Sequence, residues 1–217
     1  MFERLFGAGK RSTLVDAAFE DVSTMLKQSA KMLDHSLSAV LDNEVVQVDL
    51  KRLDDIVDEG EIMVRRTILE HLSVSPRQDL VASLILVSMV QDAERIGDFA
   101  SGLADLVGLT TSPRQGPFVD DLRVLADRVR PMFALCDAAF RDDDTELAKQ
   151  VVAEHVELKQ SFIDYTKRVA ASDLSADMAI VYAMTARILR RISAHLSNIA
   201  STVTQPYDQI RRGDEDV

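Results

Sequence analysis

Apolar residues recur at intervals of three and four along most of this chain, the spacing that places them on one face of an α-helix. The first such run begins near Thr13, which forms a variant of the capping box with Asp16. Its apolar stripe consists of Val15, Phe19, Val22, Leu26, Leu33, Leu37 and Val40. A stripe this regular predicts a long first helix with one buried face.

The same periodicity predicts five further helices, which span about 44–72, 76–107, 118–141, 144–171 and 174–204. The predicted buried stripe of the second helix is Val48, Leu53, Ile56, Met63, Ile68 and Leu72. That of the third is Leu80, Leu84, Val87, Ile96, Leu103 and Leu106.

Local sequence signals place several helix ends. The third helix is predicted to start at Ser75-Pro76-Arg77-Gln78, with a Ser cap and Pro at the first helical position. The run Asp142-Asp143-Asp144 predicts the end of the fourth helix and the cap of the fifth. We expect the fourth helix to tolerate Pro131 or to bend there.

The two halves of the chain resemble each other. A Gly- and Pro-containing stretch at 108–117 separates three predicted helices from three more, and residues 94–104 align with residues 190–200. The sequence therefore predicts an all-α fold of two tandem three-helix bundles related by duplication. The first bundle spans 13–107 and the second 118–205, with flexible ends at 1–12 and 206–217.

Composition and charge narrow the classes of function. The formal net charge is −11, so the basic surface typical of nucleic-acid binding is missing. The single cysteine, Cys136, fits a reducing compartment, and no apolar run is long enough to span a bilayer, so we expect a cytoplasmic protein. The N-terminal Phe2, Leu5, Phe6, Lys10 and Arg11 form either a short membrane- or partner-touching segment or a disordered end.

Two pairs of carboxylates are the leading candidates for chemistry. Glu94 and Asp98 lie four apart on the third predicted helix, and Asp54 and Asp58 lie four apart on the second. Side chains at this spacing share a helix face, and like charges there are mildly destabilising. The two pairs therefore meet a cation between antiparallel helices or simply face water. Gly97, beside the second pair, would allow a neighbouring helix to approach closely.

No sequence motif indicates an enzyme. The chain has no Gly-rich phosphate loop, no Gly-x-Ser-x-Gly and no His-Glu-x-x-His, and we expect no catalytic activity. The most concentrated basic feature is Arg187, Arg190 and Arg191, near His195. These side chains form a partner-binding surface or, alternatively, surface salt bridges beside a core histidine.

The segments Glu94-Arg95-Ile96-Gly97-Asp98 and His195-Leu196-Ser197-Asn198-Ile199-Ala200 resemble the repeated motif of the PhoU family of bacterial phosphate-uptake regulators. The resemblance implies a metal site of Asp54, Asp58, Glu94 and Asp98 that holds Fe, Mn, Mg or Zn. The second half departs from the motif, with Arg190 and Ala194 at the carboxylate positions. We therefore expect at most one metal site, in the first bundle.

The resemblance also implies a function. The protein would contact a phosphate transporter component and a membrane histidine kinase, acting as a negative regulator of the starvation response. Two alternatives stay open: an accessory protein of a Pit-type or sodium-coupled phosphate transporter, and a metal-binding helical bundle. Family members are often homodimers, for which Met178 and Met184 are candidate contacts. The sequence shows no phosphate pocket, so we expect phosphate to be sensed by the partner.

Overall fold

Six long α-helices make up most of residues 12–46 and 48–210, the ranges that this computed structural model describes. They are α1 (Thr13–Leu41), α2 (Leu50–Val74), α3 (Leu80–Gly102), α4 (Pro117–Asp142), α5 (Thr145–Ala170) and α6 (Ala176–Thr204). Two 3₁₀ helices follow α3 and α6, at Leu103–Leu109 and Tyr207–Gln209. The described ranges contain no strand, and the predicted all-α fold is confirmed.

The helices form two three-helix bundles that pack against each other. Helices α1, α2 and α3 pack against one another, as do α4, α5 and α6. The halves meet where α3 packs on α6 and α1 packs on α4, and a single apolar core runs through both. Helices α2 and α5 pack mainly within their own bundles. The predicted tandem arrangement is therefore confirmed.

Helix α1 begins at Thr13, as predicted, but its cap residue differs from the prediction, and helices α2 and α3 begin later than predicted. Ser12, not Thr13, caps α1, since its Oγ accepts a hydrogen bond from the Val15 N–H at 3.2 Å. Helix α2 begins at Leu50 and not near 44, because the side chain of Asp49 accepts from the Arg52 N–H at 3.0 Å. Helix α3 begins at Leu80 and not at 76.

The delayed start of α3 has a tertiary cause. The predicted cap residues form a turn instead, in which the Gln78 N–H donates to the Ser75 carbonyl at 3.1 Å. Asp79 then adopts a left-handed conformation with φ of 52°. Its Oδ2 accepts from the Ser12 N–H at 3.1 Å, which ties this turn to the start of α1. A contact between residues so far apart in sequence overrides the local start signal.

The apolar stripe predicted for α1 is buried, but those predicted for α2 and α3 are partly wrong. In α2 the buried residues are Val57, Val64, Ile68 and His71, and Met63 is exposed. In α3, Leu80, Leu84 and Val87 are exposed. The buried apolar positions at the start of α3 are Ala82, Ile85, Leu86, Met89 and Val90. Residues 80–87 are almost continuously apolar, so periodicity does not choose a face there.

The junction between α4 and α5 follows the aspartate cluster. Asp143 ends α4 in a left-handed conformation, with φ of 56°. The Oδ1 of Asp144 accepts hydrogen bonds from the Glu146 and Leu147 N–H groups at 2.9 and 3.0 Å, which caps α5. Helix α4 continues through Pro131, whose side chain is exposed.

The segment between the halves is anchored by a buried arginine. Arg114 is 6% exposed, and its guanidinium donates to the carbonyls of Val40 and Ala39 at 2.9 and 2.6 Å. Its backbone N–H and C=O bond the side-chain amide of Asn43 at 2.8 and 3.0 Å. A cation thus closes the C-terminal end of α1, where helix carbonyls lack intrahelical donors.

Residues 1–11 and 211–217 lie outside the described residues. They hold the predicted N-terminal membrane- or partner-touching segment and most of the predicted flexible ends. Within the described ranges, none of the helices combines the length and apolar character that crossing a bilayer requires.

Candidate functional site

Three of the four predicted metal ligands come together between α2 and α3. Asp58, Glu94 and Asp98 each offer one carboxylate oxygen, and these oxygens all lie within 4.8 Å of one another. Glu94 is half-buried, and the other two carboxylates are exposed. We call this group the acidic cleft.

A glycine lets the two helices approach at this point. A Cβ on Gly97 would lie 2.9 Å from Cγ1 of Val57, closer than carbon atoms pack. Val57 precedes Asp58, and Gly97 precedes Asp98. The contact of Gly97 with Val57 therefore sets the separation between the carboxylates of α2 and those of α3.

Asp54, the fourth predicted ligand, lies one helical turn before Asp58 and outside the close trio. Its Oδ1 is shielded from solvent and has no hydrogen-bond donor among the described residues. Burial raises the pKa of Asp54, and the nearby charges of Asp58 and Asp98 raise it further. An orphaned, partly desolvated carboxylate oxygen is the environment that a bound cation would relieve.

The charge balance at Glu94 is similar. Burial raises the pKa of Glu94, and the Asp98 charge adds to the shift, while Arg95 acts in the opposite direction. Arg95 lies 3.5 Å from the Glu94 carboxylate and 3.2 Å from that of Asp98. One exposed arginine thus offsets part of the negative charge of the acidic cleft.

The donor set of the acidic cleft fits a hard or borderline cation. All candidate ligand atoms are carboxylate oxygens, which suit Mg, Mn and Fe and which Zn also accepts. No thiolate or imidazole joins the group among the described residues. The residues present therefore fit the metal that the resemblance implies, with Asp54, Asp58, Glu94 and Asp98 as the groups that would hold it.

The second half carries no matching carboxylate group in the described ranges. Arg190 and Ala194 stand 96 positions after Glu94 and Asp98, and the burial pattern of α6 repeats that of α3 at this offset. On α5, Glu154 and Glu157 bind Arg128 of α4, at 2.7 and 3.0 Å, instead of facing α6.

His195 is engaged by a residue that the sequence reasoning missed. Its Nδ1 lies 2.8 Å from Oδ1 of Asp92, and the same oxygen accepts from the Asn198 amide at 3.2 Å. Asp92 is buried on α3, so this contact joins the two halves. The available signal was its position: a carboxylate on the buried face of a helix needs a partner.

The predicted arginine cluster lines the surface between helices of both halves. Arg187 and Arg191 border a groove between α3 and α6 with a volume of about 440 Å³. With Arg190 they also border a groove of about 490 Å³ between α5 and α6. The guanidinium of Arg191 lies 5.2 Å from the ring centre of Phe99, which itself stacks on His195 at 5.7 Å.

Comparison with known proteins agrees with the duplicated fold. The family model of the PhoU domain matches residues 22–107 and again residues 122–203. The chain is 25% identical to the phosphate-specific transport system accessory protein PhoU homolog 1 of Thermotoga maritima, over 84% of this chain and 82% of that protein.

Two crystal structures share the fold. The phosphate transport system regulatory protein PhoU of Streptococcus pneumoniae superposes with a TM-score of 0.78 at 17% identity, over 92% of this chain and 96% of that one. PhoU of Pseudomonas aeruginosa gives a TM-score of 0.73 at 20% identity, over 92% and 98% of the two chains.

Proposed function

The chain belongs to the PhoU family, and we propose that it is a cytoplasmic accessory protein of phosphate transport that regulates the phosphate-starvation response. The observation that carries the proposal is the match of PhoU domains to both halves of the chain. The names of the similar proteins from Thermotoga maritima and Streptococcus pneumoniae, an accessory protein and a regulatory protein of phosphate transport, support the same function.

In this proposal the protein acts by contact and not by catalysis. It binds a phosphate transporter component and a membrane histidine kinase, and it holds the starvation response off when phosphate is plentiful. The rigid faces of long helices suit such contacts, and the net charge of −11 favours basic partner surfaces. The proposed docking surface for an acidic part of a partner consists of Arg187, Arg190, Arg191 and His195, which border two neighbouring depressions between α5 and α6.

Deleting the gene in its own host tests the regulatory role. With a transcriptional reporter of phosphate starvation, we expect high expression in phosphate-rich medium after deletion and repression again on complementation. Arg187→Glu should weaken both repression and co-purification with the partner, whereas Arg66→Glu, the same change at an exposed position of α2, should affect neither. A reporter that ignores the deletion in both rich and poor medium would contradict the proposal.

The degenerate second motif, with Arg190 and Ala194, keeps one alternative in view: an accessory protein of a Pit-type or sodium-coupled transporter. The genes beside this one discriminate between the two. A transporter ATPase and a histidine kinase favour the regulator, and a lone permease favours the alternative.

We also propose that the acidic cleft binds one divalent or trivalent metal ion. The support is the orphaned Oδ1 of Asp54 and the close oxygens of Asp58, Glu94 and Asp98. Elemental analysis should find Fe, Mn, Zn or Mg bound to the purified protein and lost from a Glu94→Gln/Asp98→Asn variant.

A matched control keeps the metal experiment specific. Glu59→Gln/Glu70→Gln removes two exposed carboxylates of α2 and should retain the metal. Equal metal content in all three proteins would reject the site. Several ions per chain, with no affinity for transporter components, would instead indicate a metal-storage bundle.

A homodimer is a further part of the proposal. Met178 is buried in the core, so Met184, which is 43% exposed, is the candidate contact of the two methionines. Light scattering of the purified protein should give twice the monomer mass of 24.1 kDa, and Met184→Lys should shift it towards one. A monomer mass for the unmodified protein would reject the dimer.

A further inference from the structure

A pocket of the second bundle occupies the place that the acidic cleft holds in the first. Two contacts show which residues of α5 and α6 correspond to those of α2 and α3. Gly97 lies against Val57, and Ser193, which is 96 positions after Gly97, has its Oγ 3.0 Å from Nδ1 of His155. Val57 and His155 are therefore equivalent, 98 positions apart.

In this register two acidic positions of the first bundle become basic, and Asp58 is replaced by Val156. Glu94 corresponds to Arg190, and Glu61, one turn beyond Asp58, corresponds to Lys159. Asp98 corresponds to Ala194, whose small side chain leaves space. The pocket between α5 and α6 has a volume of about 230 Å³. It is lined by His155, Lys159, Arg190, Arg191, His195 and Asn198, together with Ala194. We call it the basic pocket.

Lys159, Arg190 and Arg191 carry the positive charge of the basic pocket. Among the described residues, no carboxylate forms an ion pair with Lys159, Arg190 or Arg191. By contrast, Arg128 and Arg130 of α4 each bind two carboxylates. Three like charges around one concavity repel one another, and an anion placed between them would reverse that energy.

The polar side chains that α6 contributes to the basic pocket are held in place by contacts with α3. Oδ1 of Asp92 fixes the ring of His195 through Nδ1 and the amide of Asn198. Phe99 stacks on the His195 ring, and the Arg191 guanidinium lies over the same Phe99 ring. Donors that are already ordered lose less entropy when a ligand binds.

We propose that the basic pocket binds a small oxyanion of the phosphate class. Guanidinium and ammonium groups form charge-assisted hydrogen bonds with tetrahedral oxyanions, and Arg presents its donors in pairs that match two oxygens. The lining contains no carboxylate, so a metal cation is the wrong ligand. The phosphate group is either free in solution or part of a lipid headgroup. The inference is argued from the residues of this pocket and not from the proposed regulatory function, although Arg190, Arg191 and His195 also belong to the proposed docking surface.

Calorimetric titration with inorganic phosphate at constant ionic strength tests the proposal on the full chain. We expect saturable binding of one anion, with affinity reduced about tenfold or more in Lys159→Gln/Arg190→Gln. The control Arg66→Gln/Lys149→Gln removes two exposed cations away from the pocket and should bind phosphate as the unmodified protein does. Equal weakening in both variants would show diffuse charge attraction and overturn the proposal.

A second variant guards against a loss of folding. Ala194→Glu keeps every cation but restores a carboxylate at the position of Asp98, and it should abolish phosphate binding while the circular dichroism spectrum is unchanged. Retained binding in this variant would overturn the site.

Vesicles distinguish the two sources of phosphate. Phosphatidylcholine vesicles with and without phosphatidic acid are sedimented with each protein. Binding only to the vesicles that contain phosphatidic acid, and its loss in Lys159→Gln/Arg190→Gln, assigns the pocket to a lipid headgroup. Calorimetric binding of inorganic phosphate without vesicle binding assigns the pocket to the free ion. Absence of both, or vesicle binding that survives the double change, would overturn the proposal.

Discussion

Replacing Gly97 by alanine should strain the contact between α2 and α3. The added Cβ would lie 2.9 Å from Cγ1 and 3.4 Å from Cβ of Val57, and 3.5 Å from Oγ of Ser29. Val57 is fully buried and β-branched, so its χ1 has few alternatives and the methyl group cannot easily turn away. The helices must separate slightly instead.

Two opposing terms set the magnitude. Alanine favours a helix over glycine by about 1 kcal/mol, and inserting one methyl group into a packed core costs about 1–3 kcal/mol. We expect a net loss of about 1 kcal/mol in the free energy of unfolding. The separation should also move Asp58 away from Glu94 and Asp98 and weaken any metal bound there.

Urea denaturation followed by circular dichroism measures the loss. Gly102→Ala on the same helix is the matched control, because a Cβ there meets nothing within 4 Å and its backbone is already helical. This control should be neutral or more stable. In a Val57→Ala background, Gly97→Ala should cost at least about 1 kcal/mol less than in the unmodified protein, because the obstructing methyl groups are gone.

The result that would refute this reasoning is a gain in stability. If Gly97→Ala stabilises the protein as much as Gly102→Ala does, the helices are not in limiting contact at Gly97. The glycine would then have no role in setting the spacing of the acidic cleft.

Three further predictions concern pH, the interhelical linker and the cysteine. Burial and like charges raise the pKa values of Asp54 and Glu94, so the folded state binds protons at these carboxyls more tightly than the unfolded state does. The contribution of this proton binding to stability therefore grows as pH falls and is lost as pH rises. In metal-free protein, Asp54→Asn should therefore raise Tm near neutral pH and lose that advantage in acid; an equal difference at every pH would contradict the cause. Arg114→Ala should lower the free energy of unfolding by about 3 kcal/mol, since two charge-assisted bonds to buried carbonyls are lost, while exposed Arg77→Ala should change it little in the same urea titration. Burial raises the pKa of the Cys136 thiol, so iodoacetamide should label it only after denaturation, and rapid labelling of native protein would disprove the burial.

The fold was largely predictable because each helix carries a long periodic pattern. The errors arose where distant residues decide the local structure. The bond from Ser12 to Asp79 delays the start of α3, and the pattern of residues 75–78 contains no sign of it. Similarly, residues 80–87 are apolar on all sides, and only packing selects the face that is buried.

The candidate site was predictable in part for the same reason. Spacing places Glu94 and Asp98 on one helix face, but their meeting with Asp58 depends on the close approach at Gly97. The basic pocket was not foreseen. Lys159 and Arg190 lie on different helices, and the registers of α5 and α6 relative to the first half differ by two residues, so one alignment offset does not pair them with Glu61 and Glu94.

The contacts between the halves bear on how the duplicated chain folds. Asp92 of α3 bonds His195 of α6, Ser23 of α1 bonds Asp137 of α4 at 2.5 Å, and Arg114 of the linker closes α1. If the chain were cut at the linker, each fragment would expose part of the shared apolar core, together with carboxylates that have lost these contacts with the other half. We therefore expect the unit that folds cooperatively to be the whole chain and not one repeat. A gene fragment encoding one repeat should yield an aggregation-prone chain, and the intact pair should melt in a single transition.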